Sequence, residues 1–234
     1  MKNKLFLPIS ILLNIMLILM ATFLLITKTS IGDVFADDDP NDFKSEMYAE
    51  SVSKFEHITL EKADVVFMGD SIVGRGLWNE YFHDLVVANR GIGTDTSFGM
   101  VNRVEQVIAL KPEKVFISGG INDLTNGYDL SLVRENYESI LEKLHENIPD
   151  SKIFVQSILP IKENKRDVKN NLIKEFNVDL REITEQYNFT FIDLYSSFVD
   201  DNEQLADEYT IDGTHLTGAG YAKWVEKINE YVYK

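Results

Sequence analysis

Three side chains of the sequence, those of Ser71, His215 and Asp212, have the chemistry to turn a hydroxyl group into a nucleophile. Ser71 follows Gly69 and Asp70 at the end of an apolar run, and His215 follows Asp212 by three positions. A serine hydroxyl needs a base that accepts its proton, and the base needs a carboxylate that orients its ring. We therefore expect Ser71 to act as nucleophile, His215 as base and Asp212 as the group that fixes the tautomer of the imidazole.

Such chemistry also needs hydrogen-bond donors for the negative oxygen that forms when the nucleophile attacks a carbonyl group. The candidates are the side-chain amide of Asn122 and the backbone amides of Ser71, Gly93 and Thr94. Gly-Asp-Ser turns and Asp-x-x-His segments are each common when taken alone. Their occurrence together in one chain, on segments that follow predicted strands, is a much stronger indication of acyl transfer.

Short apolar runs rich in β-branched and aromatic residues recur along the chain. They cover residues 64–68, 85–88, 114–118, 152–156 and 190–194. Their alternation with segments of helical spacing predicts a three-layer α/β domain with a five-stranded, mainly parallel sheet. Ligands of such sheets bind beyond the carboxyl ends of the strands. The segments with Ser71, with Gly93 and Thr94, and with Asn122 each follow one of the first three strands, so we expect them to meet at one edge of the sheet.

Three segments between and after these strands have the spacing of amphipathic helices. One places six apolar residues between positions 133 and 148 on a single face, and another places four between positions 168 and 176 on a single face. The last extends from about residue 218 to residue 233, with Thr217 as its expected N-cap.

The chain resembles the SGNH hydrolases, also called GDSL esterases and lipases, over residues 60–230. The segments that carry the resemblance are Gly69-Asp70-Ser71, Asn89-Arg90-Gly91-Ile92-Gly93, Gly120-Ile121-Asn122-Asp123 and Asp212-Gly213-Thr214-His215-Leu216-Thr217. The resemblance implies a flavodoxin-like fold and ester hydrolysis with neither a metal ion nor an organic cofactor. It also implies that Ser71 and His215 are the catalytic serine and histidine, that Asp212 is the acid of the triad, and that Asn122 is the side-chain donor to the oxyanion.

The sequence departs from the family pattern at Thr94. The second family segment usually has a glycine at this place, and its backbone N–H donates to the oxyanion. Threonine keeps the N–H, but its β-branched side chain would be strained if the turn required a positive φ. Gly93 is therefore an alternative donor.

Composition narrows the range of partners. The formal net charge of −15 argues against a nucleic-acid partner, because phosphate binding needs a positive surface. The absence of cysteine excludes disulfides, thiolate metal sites and a cysteine nucleophile. No segment predicts a metal site.

The N-terminus predicts a membrane anchor. Lys2 and Lys4 precede a nearly unbroken apolar run at residues 5–26, which as a helix would span roughly 33 Å. We expect a signal anchor at residues 1–27, a polar linker at 28–42 and an extracytoplasmic hydrolase domain at 43–234. Cleavage after Ala36 is the alternative, and it would release a secreted domain.

These features together predict an extracytoplasmic serine esterase that hydrolyses short acyl esters, above all acetyl esters, on glycans. The absence of a long insertion between the motifs favours an open site and short acyl groups. Two alternatives use the same triad. One is a lysophospholipase or other acyl-ester lipase, favoured by the membrane anchor, and the other is an O-acyltransferase in which a hydroxyl group replaces water.

Overall fold

A computed structural model of the chain describes residues 45–165 and 168–234, together with Asn14, Met16 and Thr22. Apart from these three positions, the predicted anchor and linker lie outside the described residues. In the part of the chain that is described, no helix is both long and apolar enough to cross a membrane.

Five parallel strands form one sheet, as the alternating sequence pattern predicts. They are β1 (Val65–Gly69), β2 (Val87–Gly91), β3 (Lys114–Ser118), β4 (Lys152–Gln156) and β5 (Thr190–Ile192). Their order in the sheet is β2-β1-β3-β4-β5. The strand predicted at residues 85–88 lies two or three positions further along the chain, and β5 ends two residues earlier than predicted. Because β2, β1 and β3 are neighbours, the three segments that carry candidate site residues leave the sheet side by side.

Ten α-helices and two single-turn 3-10 helices, at Glu163–Lys165 and Asp207–Tyr209, accompany the sheet within residues 45–165 and 168–234. The α-helices are α1 (Glu46–Glu56), α2 (Ser71–Gly74), α3 (Trp78–Tyr81), α4 (Ser97–Arg103), α5 (Glu105–Ile108), α6 (Ile121–Thr125), α7 (Leu130–Asn147), α8 (Asn170–Gln186), α9 (Tyr195–Phe198) and α10 (Gly218–Tyr233). The helices predicted around residues 133–148 and 218–233 are present, and the side chain of Thr217 accepts a hydrogen bond from the Gly220 amide. Val168, expected on the amphipathic segment at residues 168–176, lies just before α8.

One face of the sheet carries a row of aromatic rings. Phe67, Phe116 and Phe154 are in register on β1, β3 and β4, and their ring centroids are 5.1 and 4.6 Å apart. Trp78 of α3 stacks on Phe67 at 4.2 Å, and Trp224 of α10 meets Trp78 edge-on at 5.1 Å. Aromatic contacts of this kind add to the free energy gained from burial. The last helix is therefore joined to the centre of the sheet.

Candidate active site

Ser71 begins helix α2 directly after strand β1, so the chain turns sharply at the nucleophile candidate. The Asp70 side chain caps this helix by accepting a hydrogen bond from the Ile72 amide at 2.8 Å. Gly69 closes the strand beside Ser118, and a Cβ atom on Gly69 would lie 1.8 Å from the Ser118 carbonyl oxygen. Only glycine allows β1 and β3 to approach this closely just before the turn.

The structure brings Ser71, His215 and Asp212 into one hydrogen-bonded chain. The Ser71 Oγ lies 3.0 Å from the His215 Nε2, and the His215 Nδ1 lies 2.6 Å from the Asp212 Oδ2. A carboxylate can only accept a hydrogen bond, so the Nδ1 carries the proton and the Nε2 of the neutral ring is the acceptor for the serine hydroxyl. The arrangement matches that of a nucleophile, its base and the carboxylate that orients the base.

The Asp212 carboxylate also holds the loop that presents His215. It accepts hydrogen bonds from the amides of Thr214 and His215 at 3.0 and 2.8 Å. Burial raises the pKa of Asp212, but the hydrogen bonds from His215 and from these amides outweigh that effect and place the pKa well below its usual range. Asp212 is therefore ionised at neutral pH.

The helix that follows this loop is tied back to the helix that carries Ser71. The Tyr221 hydroxyl of α10 donates a hydrogen bond to the Ile72 carbonyl oxygen at 2.6 Å. Ser71 and His215 are separated by 144 residues in sequence, and this contact holds their two segments together beside the reacting groups.

Thr94 adopts the left-handed backbone conformation, with φ of 63°. A β-branched residue is strained there, as the sequence comparison with the glycine of the family pattern led us to expect. Gly93, the preceding residue, is covered by Met47 of α1, whose sulfur would lie 2.2 Å from a Cβ atom on Gly93. The amides of Ser71, Gly93 and Thr94 have no hydrogen-bond partner among the described residues, so all three are free to donate to a ligand.

Asn122 lies on α6 and faces the same cleft. Its Nδ2 donates a hydrogen bond to the Asp95 carbonyl oxygen at 2.7 Å, which holds the turn with Thr94 against α6. A side-chain amide nitrogen carries two hydrogens, so a second donor remains for a ligand. The next residue, Asp123, accepts hydrogen bonds from the Ser97 amide and hydroxyl and holds the start of α4.

A buried ion pair between Arg103 and Asp95 fixes the strand ends below the cleft. The Arg103 guanidinium lies 2.7 Å from the Asp95 Oδ2 and is almost completely buried. It also donates to the carbonyl oxygens of Arg90 and Gly69, at 2.7 and 2.9 Å. One side chain thus joins the ends of β1 and β2 to the turn that follows β2.

The candidate site residues line one cleft of about 530 Å³. Its lining consists of Met47, Ser71, Gly74, Arg75, Gly91, Gly93, Thr94, Asn122 and His215. Ser71, Gly93, Thr94, Asn122 and His215 were all expected from the sequence. Met47 and Arg75 were not, although the four-residue spacing between Ser71 and Arg75 is a signal that could have identified the arginine. Within the described residues, no group of three or more His, Cys, Asp or Glu side chains could hold a metal ion.

The sequence profile of the GDSL-like lipase/acylhydrolase family matches residues 67–223, which is more than half of the chain. The chain belongs to this family. Platelet-activating factor acetylhydrolase IB subunit alpha2 of Rattus norvegicus is 27% identical to this chain over 178 residues, covering 74% of this chain and 77% of the relative. The acetylxylan esterase of Geobacillus stearothermophilus is 30% identical over 151 residues, covering 58% of this chain and 66% of the relative.

A solved structure shows the same family likeness in three dimensions. The GDSL-like lipase of Bacteroides thetaiotaomicron superposes with a TM-score of 0.68 at 26% identity, covering 80% of this chain and 97% of that chain. As a GDSL-type acylhydrolase with such relatives, the protein is a carboxylic-ester hydrolase.

The buried Asp70 predicts a pH-dependent stability. Burial raises the pKa of Asp70 to about 7, so between about pH 4 and pH 7 the folded chain holds a proton that the unfolded chain has lost. Stability from this group therefore falls as the pH rises. Asp70→Asn keeps a capping oxygen and removes the titration. In urea unfolding, we expect the free energy of unfolding of the variant, relative to the parent, to rise by about 3 kcal/mol from pH 5 to pH 8.

Asp201→Asn is the matched control, because it removes the same charge from an exposed position. If the difference in the free energy of unfolding between Asp70→Asn and the parent stays constant with pH, the expectation is wrong.

Proposed function

We propose that the chain is an acetyl esterase that uses Ser71, His215 and Asp212 as its catalytic triad. The observation that carries the proposal is the unbroken hydrogen-bond chain from the Ser71 hydroxyl through His215 to Asp212. It lies in a cleft that also holds free backbone amides and a side-chain amide. A nucleophile, a base and oxyanion donors in one cleft are the requirements of acyl transfer.

Acylation begins when the Ser71 Oγ attacks the ester carbonyl carbon while its proton moves to the His215 Nε2. The Asp212 carboxylate stabilises the imidazolium that forms, because it already accepts the Nδ1 hydrogen at 2.6 Å. The tetrahedral intermediate then breaks its bond to the alcohol oxygen. The alcohol leaves with the proton from the Nε2, and the acyl group stays on Ser71.

Deacylation repeats these steps with water. The Nε2 of His215 takes a proton from water, and the hydroxide attacks the acyl carbon. When the bond to Ser71 breaks, the Oγ recovers the proton from His215, and the carboxylic acid leaves. In both stages the developing oxyanion accepts hydrogen bonds from the second hydrogen of the Asn122 amide and from the backbone amides of Ser71 and of Gly93 or Thr94.

Two observations support acetyl as the acyl group. The names of two relatives, an acetylhydrolase and an acetylxylan esterase, both specify acetyl although they specify different alcohols. In this chain, Met47 lies against Gly93, at the turn that would bind the carbonyl oxygen. A side chain in this place leaves little room for a long acyl chain. The acetylxylan esterase also favours a glycan as the alcohol, in keeping with the open cleft.

Labelling by a fluorophosphonate probe tests the mechanism without knowledge of the substrate. The activated Ser71 should react with the probe, and Ser71→Ala should abolish labelling. His215→Ala should slow labelling by at least about a hundredfold, because the general base is lost. Ser196→Ala is the control. Ser196 is an exposed serine whose hydroxyl donates a hydrogen bond to Asp193, and the variant should label normally. Full labelling of a folded Ser71→Ala protein would refute the proposal.

Substitution of Met47 tests the acyl specificity. Met47→Ala should raise kcat/KM for p-nitrophenyl butyrate and octanoate relative to the acetate by about tenfold. The reason is that removal of the methionine side chain makes room for a few methylene groups of the longer acyl chains. Met47→Trp should shift the preference further towards acetate. Val178→Ala, an exposed position on α8, is the control. An unchanged chain-length profile in both Met47 variants would show that α1 does not limit the acyl group.

We further propose that residues 1–27 anchor the protein in a membrane and that the hydrolase domain acts outside it. The lysines before the apolar run and the aspartates after it support this orientation. In cells, the full chain should stay in the membrane fraction after an alkaline wash, and protease added outside should digest the domain. Complete protection from external protease would reverse the proposed orientation, and release of the domain into the medium would indicate cleavage.

A further inference from the structure

Arg75 is placed beside the nucleophile by the geometry of a single helical turn. It is the C-cap of α2, and its amide donates to the Ser71 carbonyl oxygen at 3.0 Å. Residues four apart on a helix have neighbouring side chains, with Cβ atoms roughly 5–6 Å apart. Arg75 is exposed and lines the same cleft as Ser71 and His215.

The guanidinium of Arg75 differs from those of the other described arginines. Arg103 pairs with Asp95, and Arg134 pairs with Glu138. The others lie against aromatic rings, Arg90 over Phe55 and Arg181 over Phe191. Within residues 45–165 and 168–234, the Arg75 side chain makes no ion pair, ring contact or hydrogen bond. In a chain with 38 acidic and 23 basic residues, such an arginine is unusual.

The cleft itself is arranged for an anion. Among the described residues that line it, none is an aspartate or a glutamate, and Arg75 is the one permanent cation. The formal net charge of −15 repels anions over the rest of the surface. A guanidinium can form two parallel hydrogen bonds to a carboxylate or phosphate, which gives it a preference for these groups over a neutral polar group.

The acyl group proposed above, acetyl, carries no charge. An anionic group that binds Arg75 therefore belongs to the alcohol part of the ester, and Arg75 lines the same cleft as His215. His215 delivers the proton to the departing alcohol. The turn with Gly93 and Thr94, which would bind the carbonyl oxygen, is covered by Met47 of a different helix.

We propose that Arg75 is a specificity-determining residue that binds an anionic group, a carboxylate or a phosphate, on the alcohol part of the ester. The natural substrate is then an acetyl ester of an alcohol that carries a negative charge close to the ester bond. This inference rests on the proposed esterase function and adds the charge of its substrate.

A matched pair of esters tests the assignment. O-Acetyllactate carries a carboxylate beside its acetyl ester, and methyl O-acetyllactate lacks the charge. We expect the ratio of kcat/KM for acetate release, charged over neutral, to fall by about tenfold to a hundredfold in Arg75→Gln, as for loss of a charged hydrogen bond. In Arg75→Lys, which keeps the charge but not the two parallel hydrogen bonds, the ratio should lie between the values for the parent and for Arg75→Gln. Arg181→Gln, which removes the same charge at a site away from the cleft, should leave the ratio unchanged.

The outcomes separate this inference from the function on which it rests. If the parent releases acetate from both esters and Arg75→Gln keeps the same ratio, the inference falls and the esterase stands. If the parent releases acetate from neither ester and the fluorophosphonate probe fails to label Ser71, both fall. Acetylated polygalacturonate and acetylglycerol phosphate distinguish the two anions. If the parent prefers one of these two anionic esters and Arg75→Gln loses that preference, the proposal is supported. If neither ester shows a preference that depends on Arg75, the proposal is overturned.

Discussion

The buried ion pair between Arg103 and Asp95 is the interaction on which the site depends. A desolvated arginine is tolerated because each of its nitrogens has an acceptor, namely the Asp95 carboxylate and the carbonyl oxygens of Gly69 and Arg90. Breaking such a buried pair from one side typically costs about 3–5 kcal/mol. The pair therefore fixes, from a single point, the strand end before Ser71 and the turn that holds Gly93 and Thr94.

This arrangement explains how Thr94 can keep a strained backbone. A residue held at positive φ against its preference costs about 1–3 kcal/mol and persists only where its surroundings determine it. On one side of Thr94, the Ile92 amide donates to the Gly69 carbonyl oxygen. On the other side, Asp95 is held by its ion pair and by the Asn122 amide. The strained turn is thereby pre-organised, with its amides free before any ligand arrives.

Much of the fold and of the candidate site could be predicted from the sequence, because both follow from local patterns. The five strands are short runs of β-branched and aromatic residues, and the parallel order places their polar ends side by side. The residue types in four short segments indicate the chemistry of the site. These segments contain Ser71, Asn122, Asp212 and His215. The segments with Ser71, with Gly93 and Thr94, and with Asn122 line one cleft, as expected for segments that follow neighbouring parallel strands.

The features that the sequence did not predict depend on contacts between distant segments. No local sequence pattern indicates such contacts. Met47 reaches Gly93 only because α1 packs across the turn, and nothing in the sequence around Met47 indicates this. In the sequence, Arg103 is an ordinary polar residue on a short helix. The three groups that accept its hydrogen bonds belong to different strands and turns, so the sequence pattern does not reveal them. The exact ends of β2 and β5 also depend on pairing with neighbouring strands.

The hydrogen bond from Tyr221 to the Ile72 carbonyl oxygen has a consequence for the order of assembly. The nucleophile enters the fold with the first strand, whereas its base enters with the loop before the last helix. Contacts between such distant segments close large loops, and the chain loses the entropy of loop closure before these contacts can form. Until α10 has docked, Ser71 has no partner for its proton. Reactivity of this serine is thus a property of the finished fold, and a partly folded chain carries its nucleophile in an inert state.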